Sequence, residues 1–259
     1  MIWLHRLVLL LIGGFILAPI LVVVAASLSD GPLPEFPPRG LSLRWYVHAL
    51  AEPVFTEAAL NSLWLAAVST LLATPLALAA AYGLMRGDFA GRDGLQTLLL
   101  APLVVPALVI GLAILLAFSG LGIRHVGARL VGAHVLITFP YLVRTILASL
   151  ARLDPVVEEA ARTLGASPFR SFVHVTLPLV RPGVIAGMLF AFIVSFDNVS
   201  VSLFLTNART NTLPLAILNY VEYNFDPSVA AISTMLVVFS LGAALLVERL
   251  AGLRRVVGG

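Results

Sequence analysis

Residues 158–178 read Glu-Glu-Ala-Ala-Arg-Thr-Leu-Gly-Ala-Ser-Pro-Phe-Arg-Ser-Phe-Val-His-Val-Thr-Leu-Pro, from Glu158 to Pro178. This is a charged, Gly- and Pro-punctuated interruption in a chain otherwise suited to hydrocarbon. Of 259 residues, 60% are hydrophobic and only 11% are charged, about half the charge of an average soluble domain. The mean hydropathy is +1.03. That much apolar surface exceeds what one core can hide, which makes the bilayer the expected solvent. A polar segment of this length must then stand in water, and the partner expected there is another protein.

Working outward from it, six runs are long and apolar enough to span the membrane: Leu7–Leu28, Ala58–Met85, Leu95–Phe118, Val126–Leu150, Gly183–Leu205 and Val229–Leu250. About 20 helical residues cross the ~30 Å hydrocarbon layer. Helices are expected because a span must satisfy its own backbone, and the alternation of a β-barrel is missing from these runs. The first run follows His5 and Arg6 and ends near Ala25-Ala26-Ser27, a signal-peptide-like pattern, but its apolar stretch is long for one, so an uncleaved first helix is expected.

Orientation follows from arginine. The chain has no lysine and sixteen basic residues, all arginine. With the N-terminus inside, the inner side holds Arg6, Arg86, Arg92, Arg144, Arg152, Arg162, Arg170, Arg181, Arg249, Arg254 and Arg255. The outer side holds Arg39, Arg44, Arg124, Arg129 and Arg209. This bias predicts an N-in, C-in topology and puts 158–178 in the cytoplasm. Two outer segments remain. Asp30–Glu57 is Pro-rich, then amphipathic around Trp45 and Tyr46; Thr206–Pro227 carries Tyr220, Glu222, Tyr223 and Asp226.

Composition also excludes chemistry. Without lysine there is no P-loop, Schiff-base or kinase-type lysine, so the chain carries no ATPase site of that kind; if ATP drives its work, another chain hydrolyses it. Cysteine is absent, which removes disulfides, thiol chemistry and Cys-based metal sites. His134 lies alone in the fourth run, so a hydrogen-bonded packing role is expected of it and no metal site. The arginines are scattered rather than clustered, which argues against nucleic acid despite a pI near 9.8. Gly120, Gly122 and Gly127 lack the strand and βαβ unit of a dinucleotide site. Asn198-Val199-Ser200 matches a glycosylation pattern but falls within an apolar run.

Within the polar segment, Asp154-Pro155 is a helix start. Glu158 and Glu159 suit the positive end of that helix, and Gly165 suits its C-terminus. Ser167-Pro168 repeats the start signal, predicting a second short helix through Phe169, Arg170, Phe172 and Val173 before Leu177-Pro178 and Arg181-Pro182-Gly183 lead into the fifth run. The result is an elbow of two short helices. Phe169, Phe172 and Val173 have two open roles, packing back on the membrane domain or anchoring a soluble partner. Asp197, in the fifth run beside Ser195 and Asn198, is the other candidate. An acid at membrane depth either lines a path for a cation or fixes helix packing by hydrogen bonds.

The spacing Glu159-Ala160-Ala161, Gly165, Val175 and Leu177-Pro178 resembles the EAA signature of binding-protein-dependent ABC importer permeases, with Val175 where that family usually has Ile. Phe36–Tyr46, Asn61-Ser62, and Ser195-Phe196-Asp197-Asn198 through Thr212-Leu213-Pro214 are similar to the spermidine/putrescine branch, and most to its PotC-type permeases. The resemblance implies an all-α membrane protein of the type I importer (MetI-like) fold. It implies a first helix and outer loop over 1–56, a type-1 transmembrane domain over 57–248 with its EAA loop at 151–182, and a cytoplasmic tail at 249–259. By the same resemblance Gly165, Ala166, Ser167, Pro168, Phe169 and Arg170 form the coupling helix for an ATPase, and Glu159, Ala160 and Ala161 shape the helix before it. The implied partners are two ATPase subunits that bind ATP and Mg, a homologous second permease (the branch suggests a different chain), and an extracytoplasmic solute-binding protein. This chain holds no cofactor of its own. A polyamine is the implied solute and the bacterial inner membrane the implied location, with alternating access as the mechanism. A stand-alone secondary transporter or channel would leave the elbow without a purpose. An intramembrane enzyme would need Asp197 and His134 to meet.

Overall fold

In the computed structural model, residues 2–207 and 210–251 are described. Of the arginines that predict the orientation, Arg209, Arg254 and Arg255 lie outside the described residues, as does most of the tail expected at 249–259. The elements are α1 (Ile2–Ser27), α2 (Arg44–Ala51), α3 (Pro53–Arg86), α4 (Arg92–Leu100), α5 (Ala107–Gly120), α6 (Val126–Leu150), α7 (Pro155–Thr163), α8 (Pro168–Ser171), α9 (Leu177–Phe196), α10 (Ser202–Leu205), α11 (Leu213–Tyr223) and α12 (Ser228–Ala251). Among the described residues the β pairing is a bridge between Ser29 and Leu41.

Five helical stretches are long and apolar enough to cross a membrane singly: α1, α3, α6, the run Pro168–Phe196, and α12. A sixth crossing exists if the bent pair α4–α5 counts as one. The sequence predicts one third span over Leu95–Phe118; the chain there turns by 104° between Leu103 and Ala107. The cause is local. Pro102 sits in a 3₁₀ turn at Ala101–Leu103, and Pro106, which has no backbone N–H to continue a helix, holds an extended conformation at the start of α5 (ψ 129°).

The fifth span also differs. It was expected over Gly183–Leu205, detached from a short second elbow helix. Pro168–Phe196 is instead one continuous helical stretch of 29 residues. A π turn at Phe172–Thr176 joins α8 to α9, with the Leu177 N–H donating to the Phe172 carbonyl. Pro178 falls in the first turn of α9 and Pro182 inside it, so neither ends the helix. The span stops at Phe196, and Asp197 is its C-terminal cap residue rather than an interior one.

Contacts divide the chain into two units, Met1–Ala59 with Leu213–Gly242, and Leu60–Thr212 with Ala243–Gly259. In the first, α1 is apolar and exposed over most of its length, Trp3 by 82% and Phe15 by 81%, as a lipid-facing helix is, and only its last residues are buried. The Ser27 and Tyr46 hydroxyls share a hydrogen bond of 2.6 Å, and Trp45 Nε1 donates to the Gly31 carbonyl at 3.2 Å, which fastens the amphipathic α2 to the Pro-rich loop. Phe55 packs on Tyr220, centroids 4.8 Å apart. Tyr220 donates to Asp226 Oδ2 at 2.8 Å. Burial first, then that carboxylate, pushes its phenol up to about 12, so it stays a donor.

The second unit is organised around α6. Leu142, Val143, Ile146 and Leu150 of α6 pack with Val180, Val184 and Ala191 of α9 and with Ala73, Ala77 and Ala81 of α3. Alanines one turn apart let backbones approach closely, the usual solution where lipid offers no hydrophobic gain from association. Glycine does the same on α9: a Cβ on Gly183 would stand 2.4 Å from Ser149 Cβ.

Candidate functional site

The turn between α7 and α8 is built as its sequence specifies, although α8 runs on into α9. Asp154 accepts the Val156 N–H at 3.0 Å and starts α7. Gly165, at φ +90°, ends it: the Ala166 N–H reaches back to the Ala161 carbonyl at 3.1 Å and the Gly165 N–H to Arg162 at 2.9 Å, a Schellman-type closure that needs a left-handed residue. Ser167 then accepts the Arg170 N–H at 3.3 Å and starts α8. The turn between the helices is open: no atom lies within 4 Å of a Cβ built on Gly165, and Leu164 is 88% exposed and Phe169 75% exposed. The aromatic residues left open by the sequence divide. Phe169 projects outward, whereas Phe172 is half-buried and packs edge-on against Tyr82 of α3, centroids 4.8 Å apart. Between them an open groove of about 580 Å³ is lined by Leu78, Tyr82, Arg162, Phe169 and Phe172 among others.

Of the two adjacent glutamates, Glu159 is exposed with Ala160, Arg170 and Pro178, while Ala161, Ala166 and Leu177 are half-buried. Glu158 is the buried one, at 4% exposure. Arg86, the last residue of α3, reaches it with two bonds, Nε to Oε2 at 3.1 Å and Nη2 to Oε1 at 3.2 Å. Thr176 donates to the same Oε1 at 2.8 Å. Sequence reasoning placed neither Arg86 nor Glu158 in the site. The pair is 72 residues apart in sequence and meets only through the fold.

The second candidate site is the break that follows α9. Asp197 N–H still donates to the Ile193 carbonyl at 3.0 Å, but the helix does not continue. Asn198 Oδ1 accepts the Val201 N–H at 2.9 Å, and α10 starts at Ser202. Asp197 is exposed, and among the described residues its carboxylate has no hydrogen-bond or ion-pair partner. Broken helices at membrane depth are tolerated where they are buried in protein or line an aqueous cavity. One side of this break is buried in protein: a Cβ on Gly111 of α5 would meet Phe204 Cδ2 at 2.8 Å and the Ser200 carbonyl at 3.0 Å. Ser195 is on that packed side, 3% exposed, and its hydroxyl is 2.8 Å from His134 Nδ1. His134 Nε2 is 3.1 Å from Ser202 Oγ, so both ring nitrogens are engaged and the imidazole bridges α6, α9 and α10. Among the described residues no group of three or more His, Asp or Glu gathers as metal ligands do.

A long apolar helical bundle carrying a polar elbow is the fold of an importer's membrane subunit, and the chain belongs to that family: residues 73–255 match the binding-protein-dependent transport system inner membrane component. Its relatives include the putrescine transport system permease protein PotI of Escherichia coli (strain K12), 34% identical over 245 residues, covering 89% of this chain and 85% of the relative. The spermidine/putrescine transport system permease protein PotC of the same strain is 32% identical over 239 residues, covering 90% of each. The molybdenum transport system permease protein ModB of Haemophilus influenzae (strain ATCC 51907 / DSM 11121 / KW20 / Rd) is 34% identical over 204 residues, covering 72% of this chain and 89% of the relative. In structure, a bacterial ABC transporter involved in import of the acidic polysaccharide alginate matches with a TM-score of 0.77 over 95% of this chain and 94% of that one, at 16% identity. At that identity the likeness establishes the fold.

Proposed function

We propose that this chain is the permease subunit of an ATP-driven importer for a polyamine. The observation that carries the reading is near-full-length similarity to two permeases named for putrescine and spermidine/putrescine transport. The unpartnered Asp197 carboxylate supports a cationic cargo, since an acid facing a path attracts an amine and repels an anion. The molybdenum relative makes another small solute the competing reading.

In this reading the chain sits in a bacterial inner membrane with the elbow in the cytoplasm. The ends of α3 and α7 meet through Arg86 and Glu158, which agrees with assigning both to one side. Gly165 to Arg170 seat on an ATPase subunit, with exposed Leu164 and Phe169 as apolar anchors and Glu159 and Arg170 as the polar rim. ATP and Mg are bound by that subunit and none by this chain. A second, homologous permease completes the path, and a binding protein delivers solute to the opposite end. Closure of the ATPase pair moves the elbows, and the helix bundle switches between two arrangements. The test is uptake of labelled putrescine and spermidine into proteoliposomes containing the co-purified complex and its binding protein. Saturable, ATP-dependent uptake is expected. ATPase activity stimulated by the binding protein without polyamine uptake would overturn the substrate, and absence of both would overturn the importer.

A further inference from the structure

We infer that the partly buried Arg86–Glu158 pair is a transmission strut that fastens the elbow to α3, so that force applied at the elbow enters the bundle through α3 as well as through α9. The inference rests on the reading of the elbow as the ATPase-docking element.

Covalently, α7 is held by a short turn from α6 at one end and by the Gly165 turn at the other. The second connection leads through α8 and the π turn into α9, which is the obvious route for a push. Glu158 adds another route. Both of its carboxylate oxygens are engaged, Oε2 by Arg86 Nε and Oε1 by Arg86 Nη2 and Thr176 Oγ1. Its own carbonyl accepts the Ser171 hydroxyl at 3.4 Å. One residue thus ties the end of α3, α7, α8 and the π turn together. Tyr82 on Phe172 adds an aromatic contact one turn further along α3.

The chemistry of the tie suits transmission better than stability. A buried ion pair often adds little over well-packed apolar residues. A two-pronged guanidinium–carboxylate pair does fix angle as well as distance, whereas apolar surfaces can slide. The side chains are 19% and 5% exposed, so salt screens the pair weakly. The π turn lies where it would matter, since such turns are common at functional sites, and Thr176 within it is one of the donors.

The experiment uses the reconstituted complex and reads solute imported per ATP hydrolysed. Arg86→Lys keeps the charge but loses the fork; Arg86→Met with Glu158→Met removes both charges and leaves an apolar contact. Both are expected to assemble and to hydrolyse ATP, with uptake per ATP reduced at least several-fold. A native ratio in either assembled variant would overturn the strut. A companion measurement needs no change at the pair. The chain has no cysteine, so Leu76→Cys on α3 and Val156→Cys on α7, both exposed, can carry a spin-label pair. Their distance is expected to stay constant through the ATP cycle, and a change beyond the width of its resting distribution would overturn the strut even if the pair variants failed to assemble. If the native complex neither imports nor hydrolyses ATP in response to binding protein, the importer reading fails instead.

Discussion

Gly165 and Asp197 are governed by different physics. At Gly165 there is ample space for a side chain but the wrong backbone: φ is +90° and no atom lies within 4 Å of an added Cβ. A left-handed conformation costs an L-residue about 1–2 kcal/mol, so Gly165→Ala should loosen the elbow without a clash. Hydrogen exchange in α7 and α8 checks this, with faster exchange there and unchanged exchange in α6 as the expected result. At Asp197 the backbone is ordinary and the side chain is exposed, with no protein partner for its carboxylate among the described residues. Asp197→Asn keeps size and removes charge. In the assembled complex it should raise the KM for a polyamine while binding-protein-stimulated ATP hydrolysis persists, and unchanged uptake kinetics would remove the charge-specific role. Ser195, two residues before it, is buried and hydrogen-bonded to His134.

At the scale of elements, hydropathy located the helices and missed their directions. The span Val126–Leu150 was legible to the residue, because its apolar run ends cleanly. The run Leu95–Phe118 is equally apolar through its 104° bend, and hydropathy carries no information about direction; Pro102 and Pro106 were the available signal. Pro178 and Pro182 misled in the opposite sense: Pro178 takes a first-turn position after the π turn, and α9 runs on through Pro182. The elbow was readable from Asp154, Gly165 and Ser167, whose caps are local. Its attachment was not, because Arg86 and Glu158 are joined only by the fold. The same holds for the α6–α9 crossing, where Gly183 meets Ser149. Gly183→Ala should destabilise the detergent-solubilised chain by about 1–3 kcal/mol through overpacking, and Ser149→Gly should restore much of that. A thermal melt of the single and double variants checks it, and no loss in Gly183→Ala would mean that the crossing relaxes freely.

At the scale of the whole molecule, family and class were legible from composition and the EAA spacing, and the solute was not, because no residue of a permease need grip its cargo tightly when a binding protein delivers it. Orientation is open to a direct check. In the cysteine-free chain, Thr163→Cys should react with an impermeant maleimide only in inverted vesicles, and reaction in right-side-out vesicles would reverse the topology. The central claim, that the elbow converts ATP hydrolysis into movement of solute, is tested most directly by Gly165→Trp in the reconstituted complex. Uptake and ATP hydrolysis are measured together in the same proteoliposomes. The account predicts a chain that still inserts in the membrane but no longer imports, either with ATP hydrolysis uncoupled from uptake or with the ATPase lost. Coupled uptake at the native ratio would contradict it.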